Sequence, residues 1–151
     1  MTVLDVEVVK AVRAGPSPAF VRRALNRAAR VAEVAARLPV GRASVAVRIT
    51  TDEELTSLNR AFAGEEHATD VLSFAGEGQH LGDIAISWPA VERQAARYGH
   101  DAGTELALLS VHGLLHLLGW DHATARERRE MTRLALAALD RSGITPAAGR
   151  L

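Results

Sequence analysis

The chain has 151 residues, of which 48% are hydrophobic and 24% charged, the size and composition of one ordinary globular domain. The formal net charge is zero and there is no cysteine, which excludes disulfides, thiolate metal ligands and thiol catalysis. No apolar stretch reaches the roughly 20 residues that cross a bilayer, and no basic-then-apolar leader precedes the first strand pattern. We therefore expect a single cytoplasmic domain over residues 1–151, without a membrane partner.

Charge is unevenly distributed along this neutral chain. Residues 10–48 carry nine basic side chains against one acid, and residues 52–92 carry nine acids against one arginine. Because the field near a surface follows local charge, the basic segment is able to contact a polyanion from one side. The alternative is that the two segments pair with each other in the fold.

Alternating strand and helix patterns run through the first half of the chain. β-branched residues predict a strand over 3–8, and Ser17 followed by Pro18 is typical of a helix start. The Ala- and Arg-rich stretch that follows predicts one helix over 19–38. Alternating apolar residues predict a strand over 45–49, and the capping-box spacing of Thr51 and Glu54 starts another helix.

The second half predicts two short strands followed by three helices. The strands cover 71–74 and 84–86 around a glycine-rich loop, and the helices cover 89–98, 104–118 and 125–139. Thr124 and Glu127 make a second capping-box spacing at the start of the last helix, and residues 144–151 are expected to fray. The predicted fold is α+β: a small mixed four-stranded sheet packed with about five helices, with a metal site at the end of a buried helix.

Three histidines follow one another at short spacing in the apolar segment near residue 115. His112 and His116 are four residues apart, so a helix projects both from one face. Gly119 is able to adopt the left-handed conformation that ends a helix, which brings His122 back toward the same point. Three neutral imidazoles suit Zn²⁺ and leave a fourth tetrahedral position open, as in catalytic zinc sites. We expect one zinc ion per chain.

Two other interpretations of these histidines need weighing. A single histidine on an apolar helix is usually a hydrogen-bonded core residue, but unpaired imidazoles in a buried helix each carry a desolvation penalty that a shared metal removes. The spacing also matches the metalloprotease pattern H-E-x-x-H-x-x-G-x-x-H, in which glutamate is the general base. Gly113 stands in its place, which argues against a peptidase and is expected to leave room beside the metal for a bulky substrate.

The run from His112 to His122, with Glu127 and Met131 following, resembles the YbeY family of bacterial endoribonucleases. Three further segments are similar to that family's other signatures, in the same order and at similar spacing: Leu58-Asn59, Thr69-Asp70-Val71-Leu72-Ser73-Phe74 and Leu81-Gly82-Asp83-Ile84-Ala85-Ile86. The resemblance covers roughly residues 45–135.

The resemblance implies a single-strand-specific, zinc-dependent endoribonuclease that matures the 3′ end of 16S rRNA and takes part in ribosome quality control. Its partners would be single-stranded rRNA and the small ribosomal subunit or its assembly proteins. Its zinc ligands would be His112, His116 and His122. The family places an arginine where this chain has Ala63. Arg60, one helical turn earlier, is the candidate substitute for phosphate binding.

In the implied mechanism, zinc-bound water is the nucleophile and arginines hold the neighbouring phosphates. Asp121 is the nearest acid in sequence and a candidate catalytic residue, although its position favours orienting a ligand or capping the turn. Asp70 and Asp83 either line the cleft or hold turns. Three other residues have simpler expectations. Ser73 is a poor candidate for a nucleophile, Glu127 is expected to cap a helix, and the indole of Trp120 is expected to be packed.

Three functions remain in play on the sequence alone. The first is the metal-dependent ribonuclease. The second is a non-catalytic ribosome-assembly factor that binds RNA and uses zinc to stabilise its fold. The third is a metallohydrolase of peptides or small molecules, which Gly113 disfavours.

Overall fold

The computed structural model describes residues 2–63 and 70–151. Gly64 and Thr69, which belong to the segments that carry the family resemblance, lie outside the described residues. The described elements, in chain order, are β1 (Val3–Lys10), α1 (Pro18–Ala28), α2 (Ala32–Arg37), β2 (Arg42–Thr50), α3 (Asp52–Ala63), β3 (Val71–Ala75), β4 (His80–Ser87), α4 (Trp88–Tyr98), α5 (Ala102–Leu117) and α6 (Ala125–Asp140).

The four strands form one mixed sheet in the order β1-β2-β4-β3. β1, β2 and β4 run parallel, and β3 pairs antiparallel with β4. This confirms the predicted α+β fold with a mixed four-stranded sheet. β1 is an edge strand, and its exposed face carries Val3, Asp5, Glu7 and Val9.

α5 is the central helix of the domain. It packs against β3 and β4 on one face of the sheet and contacts α1, α4 and α6. A helix that is apolar nearly all round must be covered on all sides, and the residues from Glu105 to Val111 are all buried. Asp101 starts the helix by accepting the N–H of Thr104 at 2.7 Å. His112 and His116 are thus carried by a helix that lies in the core of the domain.

The segment predicted as one helix over 19–38 is two helices. α1 ends at Ala28 and α2 begins at Ala32, with Val31 between them in extended conformation (φ −64°, ψ 128°). The bend lets Val31 and Val34 both reach the core, where they are 6% and 0% exposed. The described residues therefore contain six helices where about five were expected. β4 also begins at His80, ahead of the predicted residue 84, because its first residues pair with β2.

The C-terminal tail packs onto the domain, unlike the expectation that residues 144–151 fray. Ile144 packs against the hydrophobic core, and the N–H of Ala147 donates to Nδ1 of His100 at 2.9 Å. Arg150 pairs with the buried carboxylate of Glu105. These two contacts join residues that are 47 and 45 positions apart in the chain, so no local sequence pattern predicts that the tail packs here. No described helix is both long and apolar enough to cross a membrane.

Candidate metal centre

The end of α5 and the turn behind it carry the three histidines. His112 and His116 lie on successive turns of α5. Gly119 has φ 97°, the left-handed conformation that its position predicts and that glycine adopts without a Cβ penalty. Its N–H donates to the carbonyl of His116 at 3.0 Å, and the N–H of Trp120 donates to that of Leu115 at 3.0 Å. This turn reverses the chain and brings His122 back toward α5.

The structure brings His116 and His122 together with Asp121. One ligand atom from each of these residues lies within 4.8 Å of the other two, and the two imidazole centroids are 5.0 Å apart at an interplanar angle of 73°. Among the described residues, His112 is outside this close group, but its side chain lines the same cavity. The full three-histidine ligand set therefore stays a prediction.

Burial keeps the two helix histidines neutral. It lowers the pKa of His112 from 6.5 to about 4, and the charges of Arg150, His116 and His122 act in the same direction. The pKa of His116 is also lowered, first by burial and then by His122. A neutral imidazole offers the lone pair that a metal needs, whereas a protonated ring does not.

Asp121 holds the turn as well as facing His122. Its Oδ1 accepts the backbone N–H of His122 at 2.7 Å and lies 3.7 Å from Nδ1 of the same residue. Both side chains are largely exposed. These contacts suit a positioning role for the carboxylate, and its catalytic role stays a prediction.

The histidines open onto a cavity of about 690 Å³. Its lining comes from β3 and the residue before it, from α5 and the turn that follows it, from α6 and from the C-terminal tail: Asp70, Val71, Leu72, Ser73, Ala75, Leu109, His112, His116, Leu117, His122, Arg128, Met131, Thr132 and Arg150. Sequence reasoning missed Arg128, Thr132 and Arg150 as cavity residues. The 128, 131, 132 spacing on α6 marks one helix face and offered a signal for the first two, whereas Arg150 has no local signal.

Gly113 is packed tightly against the sheet, so the expectation that it leaves room for a bulky substrate is wrong. A Cβ built on Gly113 would lie 2.8 Å from both Cδ1 and Cγ2 of Ile84, a fully buried residue of the central strand β4. The glycine is there because α5 and β4 approach too closely for a side chain. A glutamate general base at this position would meet the same obstacle.

Arg60 lies exposed on α3 and is not among the described residues that line the cavity. Two residues further on, Phe62 packs edge-to-face on Phe74 at 5.5 Å. Phe74 points away from α5, because successive strand residues alternate and Ser73 is the one whose hydroxyl lies 3.5 Å from the Gly113 carbonyl. The end of α3 thus covers the sheet face opposite the histidines, and phosphate binding by Arg60 stays a prediction.

The structure places the remaining candidate residues from the sequence at different locations. Asp70 lines the cavity, whereas Asp83 lies on the opposite sheet face and accepts from His80 at 3.2 Å. Glu127 and Thr124 form the predicted capping box, with reciprocal bonds of 3.0 and 3.1 Å. Trp120 is a packed residue: it is buried, donates from its indole N–H to Glu130 at 3.2 Å and carries Arg37 over its ring at 3.7 Å.

Comparisons with known proteins identify the relatives of this chain. The family model described as Endoribonuclease YbeY matches residues 11–143. A relative in Chloroflexus aggregans, named Endoribonuclease YbeY, is 47% identical, with 74% of this chain and 86% of that protein covered. A relative of the same name in Roseiflexus castenholzii is 42% identical, with 79% of each chain covered.

The fold is also found in a solved structure. The solution structure of TM1509 from Thermotoga maritima superposes with a TM-score of 0.60 at 20% identity, covering 99% of this chain and 100% of that one. At that identity the likeness speaks for the fold alone, while the family model covers the segment that holds the histidines. The chain belongs to the Endoribonuclease YbeY family.

Proposed function

We propose that the protein is a zinc-dependent endoribonuclease specific for single-stranded RNA, acting in 3′-end maturation of 16S rRNA and in ribosome quality control. Family membership supports a nuclease that hydrolyses RNA. The observation that carries the proposal is the group of His116, Asp121 and His122 held by α5 and its reversing turn, beside a cavity that His112 also lines. The zinc, the rRNA site and the ribosomal partners are the proposed refinements.

The donor set of the cavity fits a zinc ion. His112, His116 and His122 would hold it. Burial keeps His112 and His116 neutral, and the ring centroid of His122 lies 5.0 Å from that of His116. When bound, the ion would supply a Lewis acid next to the RNA phosphodiester. The chain's own contribution is to fix the ligands on a buried helix, to reverse the chain at Gly119 and to hold Asp121 against His122.

The basic surface of α1 supports an RNA substrate. Arg22, Arg23 and Arg27 lie exposed on this helix, and within residues 2–63 and 70–151 no acid forms an ion pair with them. In the same part of the chain, Arg48–Glu54 is the ion pair that joins the basic segment to the acidic one. The two segments therefore do not cancel each other, and the arginines of α1 stay available to a polyanion. A cytoplasmic location with access to the small ribosomal subunit is part of this proposal.

Metal content and RNA cleavage test the proposal together. The purified protein should contain one zinc per chain and cleave a single-stranded RNA but not the matching duplex. His116→Ala and chelation should each abolish cleavage, and zinc should restore it only after chelation. The matched control is His80→Ala, since this histidine lies on β4 outside the lining of the cavity and its loss should leave cleavage unchanged.

Three outcomes would contradict the proposal. Cleavage that survives both His116→Ala and chelation would remove the metal from the reaction. Binding without cleavage by the zinc-loaded protein would leave a non-catalytic RNA-binding factor. A precursor rRNA that is cut equally at its 3′ end and at unrelated single strands would refute the maturation step but not the nuclease.

A further inference from the structure

Arg150 lies in the wall of the histidine cavity although it belongs to the C-terminal tail. Its side chain is only 13% exposed. It shares the cavity lining with His112 of α5 and with Asp70 beside β3. Its positive charge lowers the pKa of His112, and Asp70 in turn raises the pKa of Arg150. A buried arginine at a candidate reaction site has to be held by something that compensates for the loss of hydration.

The compensating group is Glu105, whose side chain is 0% exposed. Nε of Arg150 donates to its two oxygens at 3.0 and 3.3 Å, and Nη2 donates to Oε2 at 2.7 Å. His100 also donates to this carboxylate, from Nε2 at 2.7 Å, because its Nδ1 already accepts the Ala147 N–H. Burial raises the pKa of Glu105, but the bonds from Arg150 and His100 outweigh it and keep the carboxylate charged.

The same contacts leave part of the guanidinium available. Nη1 of Arg150 has no hydrogen-bond partner among residues 2–63 and 70–151. The guanidinium carbon lies 4.8 Å from the ring centroid of Tyr98, which further restricts its rotation. A guanidinium that is fixed in advance loses little entropy on binding, and its remaining N–H groups match the oxygens of a phosphate.

We propose that Arg150 is a substrate-binding residue whose guanidinium holds a phosphate of the RNA strand beside His112, His116 and His122. The inference rests on the proposed ribonuclease function and adds to it the group that positions the strand. Glu105, His100 and Tyr98 are positioning residues that act through Arg150. Arg128, which lines the same cavity from α6, lies along the path of the same strand.

The experiment measures binding of a single-stranded RNA to chelated protein, so that cleavage does not interfere, over a series of salt concentrations. Arg150→Met should weaken binding by about 10- to 100-fold, the range of one to two lost charge-assisted hydrogen bonds. It should also reduce the slope of log affinity against log salt by about one phosphate contact. Arg150→Lys, which keeps the charge but not the fork, should fall between Arg150→Met and the wild type.

Controls separate phosphate binding from loss of fold. Arg141→Met removes an exposed arginine outside the cavity lining and should bind RNA as the wild type does. Because Arg150→Met leaves the Glu105 carboxylate buried without its main partner, the double variant Glu105→Gln/Arg150→Met is measured beside it. In zinc-loaded Arg150→Ala, added guanidinium ion should restore part of the cleavage rate, which a purely structural role would not allow.

The outcomes distinguish this inference from the function on which it rests. A wild-type protein that cleaves RNA, with Arg150 variants that bind with unchanged affinity and salt slope, would overturn the inference and leave the ribonuclease standing. Faster cleavage by Arg150→Met would overturn it in favour of a tail that blocks the cavity. A wild-type protein that neither binds nor cleaves RNA would overturn both.

Discussion

Replacing Gly113 by alanine tests the close approach between α5 and β4 that places the histidines. The added Cβ would lie 2.8 Å from two carbons of Ile84 and 3.0 Å from a third. Ile84 is 1% exposed and belongs to a strand that is paired on both sides, so it has little room to move. We expect the variant to be less stable than the wild type.

The size of the effect follows from two opposing contributions. Overpacking a well-packed core costs about 1 to 3 kcal/mol, whereas alanine is favoured over glycine in a helix interior by about 1 kcal/mol. The net loss should therefore reach up to about 2 kcal/mol, or several degrees in melting temperature for a chain of this length. The measurement is urea unfolding of the metal-free protein, so that metal binding does not add to the stability.

A second substitution identifies Ile84 as the cause. Ile84→Ala removes all three crowded carbons, so adding Gly113→Ala to it should stabilise that variant by up to about 1 kcal/mol. Ile84→Val removes only the terminal methyl and should relieve part of the cost. An equal penalty for Gly113→Ala in all three backgrounds would refute the proposed contact, as would a gain in stability in the wild-type background.

Three further predictions concern the surroundings of the site. Thr124→Ala removes the acceptor of the Glu127 N–H and should cost about 1 kcal/mol in urea unfolding; an unchanged midpoint would contradict the cap. Arg37→Ala removes the cation over Trp120 and should cost about 0.5 to 1 kcal/mol with altered tryptophan emission, whereas an unaltered spectrum would argue against the stacking. Because its partners hold the pKa of Glu105 below its ordinary value of 4.5, the stability from this carboxylate is complete well above pH 4.5 and is lost progressively as the pH falls from there through its folded pKa. Acid titration of Glu105→Gln should therefore show a shallower loss of stability below pH 4.5, and identical profiles would contradict the pairing.

The parts of the site that were predictable from the sequence are those set by local geometry. The spacing of His112 and His116 defines one helix face, and Gly119 marks the left-handed turn that brings His122 back. The Thr124 cap is likewise a short-range pattern. Each depends on residues within about one or two turns, where backbone geometry leaves few alternatives.

The parts that were not predictable depend on contacts between distant segments. The break after α1 contains neither glycine nor proline, and only the packing of Val31 and Val34 in the core explains it. Arg150 reaches the cavity through a carboxylate 45 residues away. The closeness of Gly113 to Ile84 depends on how α5 lies across the sheet. The sequence does not show this packing, and the absence of a side chain at Gly113 was therefore interpreted as room for a substrate.

The exposed face of the edge strand β1 has a consequence for how copies of the protein meet at high concentration. An unpaired strand edge is a template for intermolecular β-pairing, and the valines at either end of β1 favour it. Asp5 and Glu7 stand between them on that face, and Asp5 also pairs with Arg42 of β2 at 3.0 Å. A second copy aligned along the same strand would have to remove water from these charged groups. These two carboxylates thus protect the fold against the growth of aggregates from its own margin.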